Sequence, residues 1–123
     1  VSEALMQRYY QTYNSDDPQA LAAFYHPQVE LHSAQGVMRG REAVLDTYRY
    51  LIGVFEDRMQ ATRIVMEGDT AMVDITDQLT ARSAVEDFMG TALAAGETLT
   101  LTLRGHYRIE DGQFRHIVIE ALG

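Results

Sequence analysis

One strand-like run carries an acid on an otherwise apolar face. Between Thr70 and Arg82 side chains alternate across the strand, grouping Ala71, Val73, Ile75, Asp77 and Leu79 against Met72, Asp74, Thr76, Gln78 and Thr80. A carboxylate among such neighbours must be paired, hydrogen-bonded, solvated, or protonated because burial disfavours its charge. The last state is the raised pKa that general acids and bases use, so Asp77 is the leading candidate for chemistry. A structural ion pair, or a solvated place near the strand end, is the competing reading.

Other chemistries have less to work with. There is no cysteine, hence no disulfide, thiolate metal site or thiol nucleophile. His26, His32, His106 and His116 show neither HxH nor HExxH spacing, so no metal site is expected. Without a glycine-rich phosphate loop or a GxSxG elbow, nucleotide and acyl-enzyme chemistry have no support, and no cofactor is expected.

The elements that must position Asp77 follow from periodicity. Leu5, Tyr9 and Tyr13, with Met6 and Tyr10 alongside, mark a first helix after a Ser2 cap. Asn14 to Asp17 form a turn, and Asp17 caps a short second helix that opens at Pro18 and runs to about Phe24 or Tyr25. Val29 to Ser33 has strand composition. Gly36 to Gly40 reads as a loop before a third helix from Arg41 to about Val54, with stripe Ala43, Val44, Thr47, Tyr48 and Leu51.

Met59 to Glu67, Thr70 to Arg82, Glu97 to Glu110 and Gln113 to Leu122 then read as strands, separated by Gly68-Asp69, by a longer insert and by Asp111-Gly112. Helices followed by a sheet imply an α+β fold, since a parallel sheet needs helices between its strands. The insert, Ser83 to Gly96, has Val85, Phe88, Met89, Ala92 and Leu93 at helical spacing. It reads as an amphipathic helix, either a lid or a crossing helix that pads the core or a dimer contact.

Alternation also assigns the pocket side of the later strands. Leu99, Leu101, Leu103, Gly105, Tyr107 and Ile109 share the inner face, opposite Thr100, Thr102, Arg104, His106 and Arg108. For the last strand the outcome depends on the turn. A two-residue turn at Asp111-Gly112 pairs Ile109 with Phe114 and sends His116 and Glu120 inward. A three-residue loop with a bulge at Gly112 sends Ile117, Ile119 and Ala121 inward. The bulged form is preferred, because it sets Ile117 and Ile119 beside Gly105 and Leu103 and leaves His116, Val118 and Glu120 on a mixed outer face suited to another subunit.

Composition bounds the rest. The 123 residues suit one domain spanning 1–123, and 46% hydrophobic with 23% charged residues is the balance of a folded globular chain rather than a disordered one. A net charge of −8 leaves little basic surface for phosphate, so a nucleic-acid partner is not expected. No apolar run approaches the roughly 18 residues of a membrane span. The N-terminus lacks a secretory pattern, so no membrane partner and a cytoplasmic location are expected.

Four segments carry a family likeness: Met6-Gln7-Arg8-Tyr9-Tyr10, Phe24-Tyr25-His26-Pro27, Met38-Arg39-Gly40-Arg41-Glu42-Ala43-Val44 and Glu110-Asp111-Gly112-Gln113-Phe114. In this order they resemble the nuclear transport factor 2-like superfamily along essentially the whole chain. That superfamily includes ketosteroid isomerases, SnoaL-like polyketide cyclases and limonene epoxide hydrolases. The resemblance implies a strongly curved, mostly antiparallel sheet around a cone-shaped apolar pocket closed by helices, and a homodimer through the outer sheet face.

It also implies roles for particular residues. Tyr9 matches the isomerases' tyrosine that hydrogen-bonds a developing enolate oxygen. His32 stands at the isomerases' proton-shuttling aspartate, and a histidine's pKa near ~6.5 suits a base. Gly105 stands at their protonated aspartic acid. The cyclases' last-strand aspartate falls on Ile119, and the epoxide hydrolases' arginine and second aspartate fall on Ile75 and Ile119. The expectation is a catalytic constellation of Asp77, His32 and Tyr9 in a pocket lined by Ile75, Leu101, Leu103, Gly105, Tyr107, Ile117 and Ile119. Its partner would be a hydrophobic, cyclic small molecule. The alternative from another class is a non-catalytic interaction module.

Overall fold

The computed structural model describes residues 2–123. Among them the chain forms three helices and eight strands: α1 (Glu3–Tyr13), α2 (Pro18–Ala22), β1 (Tyr25–Ser33), β2 (Gly36–Arg39), α3 (Arg41–Val54), β3 (Phe55–Glu67), β4 (Thr70–Ala81), β5 (Val85–Phe88), β6 (Thr91–Leu93), β7 (Thr98–Glu110) and β8 (Gln113–Ala121). Six strands make one sheet in the order β2-β1-β8-β7-β4-β3, and β5 and β6 pair separately. β1 runs parallel to β8 while its pairing with β2 is antiparallel. The fold is α+β, with the N-terminal helices packed on a curved, mostly antiparallel sheet.

Local chemistry explains the helices. α1 buries Met6, Tyr9, Tyr10 and Tyr13, the i, i+3, i+4, i+7 stripe of a helix lying on a core. α2 starts at Pro18 behind Asp17, whose carboxylate accepts the Ala20 N–H at 3.1 Å. It ends at Ala22, short of Phe24, because the chain there joins the sheet: Tyr25 pairs with Phe114, and the Phe114 N–H donates to the Phe24 carbonyl. β1 therefore begins before Val29. Gly36 to Arg39 is a strand rather than a loop, paired with β1 from Ser33↔Gly36 to Glu30↔Arg39.

Two further expectations are corrected by hairpin geometry. The insert after β4 is not helical. Val85 pairs with Leu93 and Phe88 with Thr91, across a turn in which Met89 (φ 53°) and Gly90 (φ 81°) are both left-handed. Consecutive positive φ values match the twist of a two-residue hairpin, and the Asp87 carboxylate holds the turn by accepting the Gly90 N–H at 2.8 Å. The hairpin buries Phe88 and Leu93 with Phe55, Leu79 and Ala81 in a small second core, where Phe88 meets Phe55 edge-on at 4.9 Å.

The β7–β8 hairpin reaches the anticipated facing by a different device. Its turn is the two-residue Asp111-Gly112 form, both residues left-handed, with Glu110↔Gln113 and Ile109↔Phe114 paired. Arg108 then pairs with His116, so Arg115 is an extra residue, and this bulge returns Ile117 to the inner face opposite Tyr107 and Ile119 opposite Gly105. The bulge lies within β8 instead of at Gly112, and each isoleucine sits two residues along β7 from its anticipated neighbour.

Candidate functional site

A cavity of about 290 Å³ opens between the helices and the inner sheet face. Its wall includes Tyr9, Tyr13, Tyr25, Tyr48, Ile75, Asp77, Leu101, Leu103, Tyr107, Ile117 and Ile119, and Ser33, Gln35, Met38, Phe88 and Met89 line it too. The strand alternation places Ile75, Leu101, Leu103, Tyr107, Ile117 and Ile119 on this wall together with Asp77.

Asp77 is buried, at 4% exposure, and it is not alone. β3 follows α3 without a loop, so Phe55, Asp57 and Met59 alternate inward from the junction. The β3–β4 register pairs Asp57 with Leu79 and Met59 with Asp77, which makes the two acids diagonal neighbours on one face. Asp57 is fully buried. Its Oδ2 accepts the Tyr13 hydroxyl at 2.8 Å. Asp57 Oδ1 and Asp77 Oδ1 have no N–H or hydroxyl donor beside them. Burial, then hydrogen bonding to Asp57 and its charge, push the Asp77 carboxyl up to about 10. Two adjacent buried carboxyls cannot both ionise readily, which favours the proton-bearing form of Asp77.

Tyr13 is the anchor behind this pair. Burial, then the Asp57 and Asp77 charges, raise its hydroxyl well above the ordinary tyrosine range, so it stays a neutral donor. Its backbone carbonyl in turn accepts the Tyr48 hydroxyl at 2.6 Å. Tyr13→Phe leaves Asp57 Oδ2 buried without that donor and is expected to cost about 1–3 kcal/mol. Urea denaturation measures it, and an unchanged midpoint would show that Asp57 is satisfied by another group.

Tyr9 reaches the cavity wall with its hydroxyl 2.7 Å from that of Tyr25. Tyr10 and Tyr107 make a second such pair, also at 2.7 Å. A hydroxyl pair uses one hydrogen in its own bond, so Tyr9 and Tyr25 together retain one O–H for a ligand. The Tyr9 ring packs edge-on against Phe114 at 4.7 Å and Tyr10 at 5.0 Å, which holds it in place.

Two expected members lie elsewhere. Leu31 lines the cavity, so the alternation of β1 turns His32 to the opposite face. There its Nε2 sits 2.6 Å from Glu30 Oε1 and its ring 5.2 Å from that of His116. His32 cannot serve as a base for anything bound inside. Gly105 is buried but is not on the cavity wall; a Cβ there would lie 2.6 Å from Tyr107 Cε2, because the Tyr107 ring folds back over it. The residue missed by sequence reading is Asp57. Starting the strand at Met59 hid it, although Phe55, Asp57, Met59 and Ala61 already alternate with Glu56, Arg58 and Gln60, the pattern that singled out Asp77.

With the geometry in view, comparison with known proteins is informative. The model of the SnoaL-like domain matches residues 6–117. The chain belongs to the SnoaL-like family. No curated protein matches it significantly in sequence. Among solved structures this SnoaL-like chain is similar to TsrD from Streptomyces laurentii, with 25% identity, a TM-score of 0.79, and 98% of this chain and 90% of that one covered. It is also similar to IdmH, a putative polyketide cyclase from Streptomyces antibioticus, with 20% identity, a TM-score of 0.77, and 96% and 89% covered. An epoxide hydrolase of the LEH-like type from M. tuberculosis shares the fold at 12% identity and a TM-score of 0.77, with 97% and 80% covered. In this chain the cavity positions Ile75 and Ile119 are hydrocarbon, and the acid beside Asp77 comes from β3.

No helix among the described residues is long and apolar enough to cross a membrane.

Proposed function

We propose that this SnoaL-like protein binds a hydrophobic, cyclic small molecule bearing a carbonyl group and promotes cofactor-independent enol-type chemistry on it, as in isomerisation, cyclisation or dehydration. The observation that carries this reading is the buried carboxyl of Asp77, set beside that of Asp57 and facing an apolar cavity, where burial favours its protonated form. A carboxylic acid that keeps its proton at neutral pH is a strong hydrogen-bond donor, the means by which a protonated aspartic acid stabilises an enolate in ketosteroid isomerases. Asp77 would donate to the substrate oxygen as negative charge grows on it. The hydrogen left over in the Tyr9–Tyr25 pair would be a second donor on the same wall. Asp57, fixed by the Tyr13 hydroxyl, would disfavour loss of the Asp77 proton through its own charge.

The apolar walls set ligand class. Ile75, Leu101, Leu103, Ile117 and Ile119 offer dispersion contacts and no charge, which suits steroid, terpenoid or aromatic polyketide-like skeletons. Kinship with polyketide cyclases supports the same class.

A thermal-shift panel of those compounds tests binding, since a ligand at about a hundred times its Kd adds ~2.7 kcal/mol of stability. Stabilisation by one chemical class is expected, and it should vanish in Ile119→Trp, which fills the cavity. For the compound identified, Asp77→Ala should keep the thermal shift while turnover falls about 100- to 1,000-fold, the effect of losing one oxyanion donor. A variant that turns over normally removes Asp77 from the mechanism, and a flat panel removes the ligand class.

A further inference from the structure

The side of the sheet away from the cavity gathers a second set of chemically capable groups. β1 and β8 are parallel neighbours, with Glu30 beside His116 and His32 beside Val118. The Arg115 bulge turns His116 outward, and the alternation of β1 turns Glu30 and His32 to the same side. One oxygen of Glu30 and one ring nitrogen of each histidine all lie within 4.8 Å of one another, and the three residues are half-buried. Hydrogen bonding from His32, then the charge of Arg39, holds the Glu30 carboxyl below the usual carboxylate range.

We propose that Glu30, His32 and His116 form a site for a divalent transition metal of the zinc class on the outer face of the sheet. Two imidazoles and one carboxylate are the donor set such borderline ions prefer, whereas calcium and magnesium take shells built from oxygen. Three protein ligands leave a fourth position for water. Bond lengths of 2.0–2.2 Å in a tetrahedral shell put ligand atoms about 3.3 Å apart. To reach that spacing the Glu30–His32 pair, now 2.6 Å apart, opens slightly and His116 closes from within 4.8 Å, with all three residues held on adjacent paired strands. The nearby His106–Glu120 pair, 3.7 Å apart on the same face, lacks a third ligand and serves as an internal control. Spacing along one segment does not disclose the site, because its donors come from strands some 85 residues apart in sequence joined by sheet pairing.

Titration calorimetry of the chelator-treated full chain with zinc chloride tests this without reference to activity. One ion per chain is expected, with affinity reduced about tenfold to a hundredfold or more in His32→Gln and in His116→Gln and unchanged in His106→Gln. Cobalt(II) should give the intense visible absorption of a tetrahedral site in the wild type and lose it in both histidine variants. Thermal unfolding of the metal-free variants establishes that they fold. Absence of saturable 1:1 binding, or equal affinity in the His32→Gln/His116→Gln double variant, overturns the proposal.

Discussion

Raising the pH from about 5 to about 9 is expected to destabilise the fold, and Asp77→Asn is expected to abolish most of that dependence. An aspartate in the unfolded chain releases its proton near ~3.9, whereas burial beside Asp57 keeps the proton on Asp77 up to about 10. Between those values the folded state binds more protons than the unfolded state, so stability falls as pH rises. The contribution is fully present below ~3.9 and is lost progressively toward the folded value. One such group has a ceiling of about 1.4 kcal/mol per pH unit. Asp74, a second perturbed aspartate, acts in a different window: hydrogen bonding from Arg104 lowers it, so its contribution is lost only as the solution becomes acidic. Chemical denaturation at intervals from about pH 5 to 9 gives the slope. Asn at position 77 can donate to Asp57 without carrying a titrating proton, so the variant should fold and show a flatter profile. An unchanged slope would place the retained proton on another group.

Gly105→Ala is the second large effect, an expected loss of about 2–4 kcal/mol from adding one methyl group. The new Cβ would stand 2.6 Å from Tyr107 Cε2, 3.1 Å from its Cζ and 3.0 Å from its hydroxyl oxygen. The ring has little room to yield. It packs 4.8 Å from Phe114, and its hydroxyl is bonded to Tyr10 at 2.7 Å, so a shift both strains the core and opens a buried hydrogen bond. Replacing glycine within a strand would otherwise favour the folded state by about 0.5–1 kcal/mol, and this smaller term loses. Urea denaturation of Gly105→Ala, of Tyr107→Leu and of the double variant separates the contact from the rest. Non-additive losses are expected. A neutral Gly105→Ala, or strictly additive variants, would show that the ring does not depend on the glycine.

These expectations bear on function because the same residues shape the cavity. Tyr107 is both a wall residue and the ring that Gly105 accommodates. Asp77 is both the acid presented to the cavity and half of a destabilising pair. Keeping two carboxyls buried side by side lowers stability at neutral pH relative to an apolar pair, a cost that fits the chemical role proposed for Asp77.

Local periodicity in the sequence determined much of this architecture. The stripe of Met6, Tyr9, Tyr10 and Tyr13, the Asp17-Pro18 start, the Arg41–Val54 helix and the inward side of β4 and β7 are all readable from neighbours a few residues apart, since helix and strand geometry are local. That reading included Asp77 on its apolar face. The tertiary structure alone decided what Asp77 meets, because its partner depends on the register between β3 and β4 and on a strand that starts at Phe55 without a loop. It also decided that Val85 to Leu93 is a hairpin, where apolar spacing fits a helix equally well and left-handed Met89 and Gly90 settle the turn. The one-residue bulge at Arg115 and the alternation of β1 together placed His116 and His32 outside the cavity, beside Glu30. A strand's period of two makes each such outcome hang on a single residue of register, and register is set by pairing with distant strands that no local pattern contains.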